Sequence, residues 1–315
     1  MEMSAEPQIN KANLSPGSVS ASAGRQIRLA SGFAVFMALL LIAIKSVAWV
    51  MTGSVALLGS LLDSVLDFSI SAINFFAISH SLTPADHEHR FGHGKAEALA
   101  ALAQAAIISV SALFLLSQSV TGFFEPRILN HSWIGVGVIS ASIVLTLLLV
   151  FVQRRVAKNT GSLAIGADSA HYEGDLYMNV AVIAALILND YIVYADPALG
   201  VVVTLILFNS ARGIAIKSFK QLMDHEVNDE TRAQIRDIIV SHPDVHDVHD
   251  LRTRRSGIQL FIQAHIELDG SITLARAHHI SDEVELSLEG VFPDADILLH
   301  QDPAGHEELT PLEMS

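Results

Sequence analysis

Asp63 and Asp67 stand four residues apart in one long apolar run, and His171 and Asp175 stand four apart in another. That spacing puts both members of each pair on one face of a helix, about 6 Å apart along its axis. An ionisable residue at membrane depth costs roughly 2.5–3.5 kcal/mol on insertion scales, so such residues mark ion paths or proton relays. Three carboxylates and one imidazole from two helices make a four-ligand set that suits a divalent cation such as Zn²⁺. A merely structural polar cluster would have to bury three acids without a cation, which is the costlier arrangement. The donors admit Zn²⁺, Cd²⁺ or Fe²⁺ and disfavour Cu⁺, which prefers sulfur. Asp168, three residues before His171, reads as a cap or a water-facing acid, not as a ligand.

The elements that must position these residues are membrane helices. Of 315 residues, 51% are hydrophobic and only 17% charged, and the mean hydropathy is +0.44, too apolar for an ordinary soluble protein. Apolar runs cover 29–51, 54–80, 96–124, 133–156, 163–188 and 191–214. Each can cross a hydrocarbon core at about 20 residues per span. The expected fold is therefore an α-helical membrane protein with six transmembrane helices, spanning 25–216. Residues 1–24 are small and polar and read as a disordered tail. They do not resemble a cleaved leader, because the Ala-rich stretch precedes the apolar run and that run is too long. Lys45, in the first run, reads as a side chain snorkelling to the outer interface.

Arg25 and Arg28 precede the first span, Arg90 and Lys95 lie between the second and third, and Arg154, Arg155 and Lys158 lie between the fourth and fifth. The opposite connections hold only Arg127. The positive-inside rule then places both termini in the cytoplasm. Residues 217–315 carry 20 acidic and 8 basic residues, a net of −12 out of the chain total of −14, and nine of the 15 histidines. An acidic, His-rich tail favours cations and disfavours nucleic acid or anionic lipid as partners. Without cysteine, disulfides and thiolate metal sites are excluded.

That tail has its own pattern. A helix is expected from Asn228 to Ser241, with Asp229 and Glu230 near its start. Alternating strands are expected over 245–253 and 258–268 around a Ser256-Gly257 turn. A second helix follows over 274–288 and a last strand over 295–300. The order α-β-β-α-β is that of a small ferredoxin-like α+β domain over 217–303, with 304–315 as a terminal tail. A core this thin gains from dimerisation or metal.

Five stretches carry a family likeness: 62–67 around Asp63 and Asp67, the loop 84–97, the segment 167–175 around His171, 249–254, and His300-Gln301-Asp302-Pro303. Together they closely resemble the cation diffusion facilitators, from the first span to about Pro303. The resemblance implies a six-helix transmembrane domain with a cytoplasmic ferredoxin-like domain, working as a homodimer in the lipid bilayer of the bacterial inner membrane. It implies export of Zn²⁺, often with Cd²⁺ or Fe²⁺, in exchange for protons. It carries a transport site onto Asp63, Asp67, His171 and Asp175, and a loop site onto Asp86, His89 and His93. A structural binuclear Zn²⁺ site follows onto His249, His265, His278, His300 and Asp302, with Asp302 as the bridge. A charge pair at the domain junction falls on Lys95 and Asp224.

Read from the residues alone, the loop histidines could be a solvated turn, and His87 or Glu88 could replace the named ligands. His265 on an alternating strand could be a structural histidine. His225, His242, His246, His279 and His306 read as bystanders. A rival reading is a membrane-anchored metal sensor or scaffold, against which the buried acids argue, because an anchor has no use for them. A passive channel is disfavoured by so tight a binding set. An enzyme is least supported: there is no nucleophile elbow or phosphate-binding Gly loop, so ATP cannot drive transport directly.

Overall fold

The computed structural model describes residues 21–53, 55–124, 133–188, 192 and 194–305. The tail to residue 20, the connection bearing Arg127, Tyr191 and His306 lie outside them. Six long helices come first: α1 (Ala21–Thr52), α2 (Val55–Ser81), α3 (Lys95–Phe124), α4 (Trp133–Thr160), α5 (Leu163–Leu188) and α6 (Ala195–Leu222). The shortest has 26 residues, about 39 Å at 1.5 Å per residue, against a hydrocarbon core of about 30 Å. All but α5 are long and apolar enough to cross a membrane by composition. The helix α5 has the length but carries Asp168, Glu173 and Asp175 in its first half. Its exception is the chemistry of the chain, since those acids face the bundle.

The bundle is built inside out relative to a soluble protein. Small residues fill its contacts, among them Ala34, Ala98, Ala101, Ala105, Ala112 and Ala211, so backbones approach closely. Large apolar side chains such as Phe36, Ile73, Phe114, Phe151 and Leu205 point outward and are exposed, the surface that lipid rewards. The helix α3 runs along α6, α1 along α2, and α5 lies against α4 and α6.

The C-terminal part holds α7 (Asp229–Val240), β1 (Asp247–Ser256), β2 (Gln259–Leu268), α8 (Leu274–Val291) and β3 (Ala295–Pro303). Asn228 caps α7 by accepting from the Thr231 N–H, and Thr273 caps α8 by accepting from the Arg276 N–H. The strands form one sheet in the order β1-β2-β3, β1 antiparallel and β3 parallel to β2. Each strand lies within a few residues of expectation. The clearest shift is β1, which starts at Asp247 and is bulged between His249 and Arg252. Leu260, Ile262, Ala264, Ile266 and Leu268 alternate onto the helix-covered face with Ile235, Ile239, Ile280, Val284 and Leu288. The odd-numbered residues of β2, including His265, are left on the other face.

The two parts meet at the hairpin tip. Gly257, with φ +62°, turns β1 into β2, and its carbonyl accepts from Gln221 Nε2 of α6 at 2.6 Å. A Cβ on Gly94 would lie 2.3 Å from the Ser256 carbonyl oxygen, so only glycine allows this approach. Lys95 reaches Asp224 at 2.9 Å, and Arg254 reaches the same carboxylate at 3.3 Å. The Arg254 guanidinium also sits over the rings of Phe91 and Phe261, 4.8 and 4.3 Å from their centroids. Partial burial pushes the Asp224 carboxyl up, but the hydrogen bonds from Lys95 and Arg254 outweigh it and hold it below its ordinary value.

Candidate metal centres

Inside the bundle, α2 presents Asp67 and α5 presents His171 and Asp175. The His171 ring meets the Asp67 carboxylate at 3.3 Å (Nε2 to Oδ1). One ligand atom from each of Asp67, His171 and Asp175 lies within 4.8 Å of the others. His171 is buried, and the neighbouring Tyr172 hydroxyl bonds Ser71 Oγ of α2 at 2.8 Å. Asp63, one turn back along α2, is exposed and stands outside this group. Of the expected quartet, the structure brings three together.

Two expectations near this cluster need correction. Lys45 does not reach for the outer interface: its amine donates to the Ser60 carbonyl at 3.0 Å and to Ser64 Oγ at 2.7 Å. Two hydrogen bonds from α2, with Asp67, Asp175 and Asp63 close enough to attract the ammonium, hold it inside the bundle. Asp168 does not face water either. It is completely buried and accepts from Gln104 of α3 and Gln153 of α4. Glu97 of α3, also buried, accepts from the Ala164 N–H at 3.2 Å and so satisfies the start of α5.

In the loop between α2 and α3, Asp86, His89 and His93 converge within the same 4.8 Å limit. Asp86 Oδ1 accepts from the backbone N–H of Glu88 at 2.9 Å and of His89 at 2.6 Å. Those bonds, His89 first, hold its carboxyl below its ordinary value and ready to bind a cation. His93 Nε2 lies 3.4 Å from Asp86 Oδ2, while its Nδ1 faces the Thr83 carbonyl at 3.4 Å. A carbonyl on Nδ1 is the usual way to leave Nε2 free for metal. His87 and Glu88 are not in the group. His80 at the end of α2 is a neighbour that spacing missed, its ring centroid 4.6 Å from that of His93.

On the open face of the sheet, register aligns His249 of β1 with His265 of β2 and His300 of β3. Asp302 lies among them: its Oδ2 is 2.8 Å from His265 Nδ1 and 3.2 Å from His249 Nε2, and its Oδ1 is 3.2 Å from His300 Nε2. A carboxylate with imidazoles on both oxygens has the form of a bridge between two cations. The structure leaves His278 apart: on α8, its side chain is 70% exposed and its ion-pair contact is Asp282 at 3.9 Å. It lies on a helix that covers the opposite face of the sheet, which explains the separation within one chain. Glu267, 3.4 Å from His249, and Asp250, 3.9 Å from His265, join the cluster without having been expected. Glu267 was findable, being two residues from His265 on the same strand face. Asp250 was not, because the bulge and its φ of +45° aim it.

Comparison with known proteins gives the family. The family described as cation efflux transmembrane domain matches residues 32–223, and the cation efflux protein cytoplasmic domain matches 227–304. The chain is 43% identical over 285 residues to the cation-efflux pump FieF of Shewanella oneidensis, covering 90% of this chain and 96% of that protein. It is 44% identical over 280 residues to the FieF of Pectobacterium atrosepticum, covering 89% and 93%. It is 41% identical over 287 residues to protein p34 of Rickettsia rickettsii, covering 91% and 95%. A solved metal-bound C-terminal domain of the CzcD transporter from Thermotoga maritima is 29% identical, covering 26% of this chain and all of that one, with a TM-score of 0.24.

Proposed function

The chain belongs to the cation efflux family, and from that premise we propose that it exports divalent metal ions, Zn²⁺ foremost, in exchange for protons. The carrying observation is the meeting of Asp67, His171 and Asp175 between two membrane helices. Cadmium and ferrous ion fit the same donors, but the affinity order favours Zn²⁺ over Fe²⁺.

Metal ligands bind in their deprotonated forms, so an entering cation displaces protons from His171 and the carboxylates. Protons on the more acidic side compete for the same atoms and release the ion. The reprotonated site then returns through the membrane with less charge, which burial demands. We assign the transport site to Asp67, His171 and Asp175, with Asp63 joining when the ion is bound, and a secondary site to Asp86, His89 and His93. The cytoplasmic cluster would hold structural Zn²⁺ on His249, His265, His300 and Asp302. His278 is left to a contact outside the single chain. A homodimer in the bacterial inner membrane, with both termini cytoplasmic, completes the proposal. The sensor alternative has no observation in its favour, since it gives the buried acids no task.

Uptake into proteoliposomes against a panel of Zn²⁺, Cd²⁺, Fe²⁺, Mn²⁺ and Mg²⁺ tests the reading. It expects the first three to move and Mg²⁺ not to. Transport of Mg²⁺ in preference to Zn²⁺ would overturn it.

A further inference from the structure

One buried acid is left without a task by the metal chemistry. Asp168 is completely buried in a bundle where a carboxylate is expensive unless its hydrogen bonds are met. Its donors are two neutral amides on two other helices. Gln104 Nε2 gives to Oδ1 at 3.0 Å and Gln153 Nε2 to Oδ2 at 2.5 Å. Both glutamines are themselves buried, and the carbonyl Oε1 of each has no hydrogen-bond partner among the described residues. An ionised carboxylate needs donors, whereas a carboxylic acid needs one acceptor for its O–H. A primary amide supplies either by turning end for end. The trio can therefore satisfy Asp168 in both charge states without moving a helix.

We propose that Asp168 carries a proton in the exchange cycle, with Gln104 and Gln153 as amide partners that turn over as it is gained and lost. This rests on the antiport reading above. The step is a protonation only: one carboxylate oxygen gains H⁺, the new O–H donates to a turned Oε1, and release reverses it with no electron moved. The titratable groups that face Asp168 are His171 and Tyr172 on its own helix and Asp67 on α2. On the other packed helices, Glu97 of α3 is occupied at the start of α5, and Arg154 of α4 is held by Glu173. A cation between Asp67, His171 and Asp175 lies about one helical turn from Asp168 and favours its ionised form. Loss of the cation favours the acid. That is the sense an exchanger needs.

A plain structural cross-link between α3, α4 and α5 would use the same hydrogen bonds, so the test must read protons. Full-length protein in proteoliposomes, with a Zn²⁺ dye and a pH dye inside, gives the number of protons moved per Zn²⁺. Asp168→Asn keeps shape and hydrogen bonding but cannot carry the proton. We expect that ratio to fall by one, with Zn²⁺ still bound and transported. Gln104→Leu combined with Gln153→Leu removes the donors to the ionised form, so Asp168 keeps its proton and the ratio falls likewise. This second variant decides the matter if the asparagine variant does not fold. An unchanged ratio in either folded variant overturns the assignment. Zn²⁺ flux without proton movement in the wild type overturns the antiport reading instead.

Discussion

The buried cluster and the cytoplasmic cluster use the same donors at similar distances and hold them in opposite ways. In the membrane, Asp67 and His171 meet at 3.3 Å across α2 and α5, helices whose main packing partners lie elsewhere: α1 for α2, and α4 and α6 for α5. In the cytoplasmic domain, His249, His265 and His300 meet Asp302 on three neighbouring strands whose register is hydrogen-bonded. A sheet fixes the spacing of its side chains, so its donors wait in place. Two helices sharing few contacts can slide, so their donors can gather and part. The difference suits the proposed roles, one cluster moving ions and the other keeping them.

The largest expected effect removes Asp67, a ligand of the proposed transport site. Asp67→Ala should cut Zn²⁺ flux by more than the roughly 10–100-fold that outer-shell changes cost, while the protein elutes as a folded species. Near-normal flux would break the comparison at its first term. Next, His265→Ala with Asp302→Ala should abolish the Zn²⁺-dependent rise in thermal midpoint of the cytoplasmic domain. That rise is worth about 2.7 kcal/mol at a hundredfold excess over Kd, and the variant should still transport. A midpoint that responds to Zn²⁺ as in the wild type would remove the static site from the account.

A third prediction concerns what joins the two regions. Gly94→Ala drives a methyl into the Ser256 carbonyl and should loosen the docked hairpin tip by about 1–3 kcal/mol. Faster protease cleavage near residue 257, with metal binding at both clusters retained, would sharpen the comparison. The smallest effect is a matter of pH. The Asp224 carboxyl lies below its ordinary value when folded. Its contribution is therefore complete above the unfolded value of about 3.9 and is lost as pH falls through the lower folded value. The latch should be indifferent to pH between 5 and 8, and Asp224→Asn should cost only about 0.2–1 kcal/mol, because the pair is half exposed. A junction that weakens already near pH 6 would point to a histidine instead.

How far these regions could be read from residue order follows the same division. Local spacing made Asp67, His171 and Asp175 legible, because four residues is one helical turn and an acid in an apolar run stands out. The loop trio Asp86, His89 and His93 was compact enough to see. Contacts set by sheet register or helix packing are not legible from spacing, and only the family resemblance brought His265 and Asp302 together. Asp302 meets His265 from 37 residues away through strand pairing, and Gln104 meets Asp168 from 64 residues away through α3 against α5. Lys45 was misread because a lone lysine in an apolar run is consistent with either end of its reach, and only α2 beside it decides. Among the six long helices, α5 is the one that carries three acids, and that is what makes it informative.

The central claim is that metal and protons exchange at the buried cluster, and one measurement addresses it most directly. Wild-type proteoliposomes would be given Zn²⁺ at equal concentration inside and out, with an imposed pH gradient and no nucleotide. The account predicts net Zn²⁺ accumulation on the acidic side, collapsing when a proton ionophore is added and reversing when the gradient is reversed. Zn²⁺ that stays equal on both sides under either gradient would contradict it.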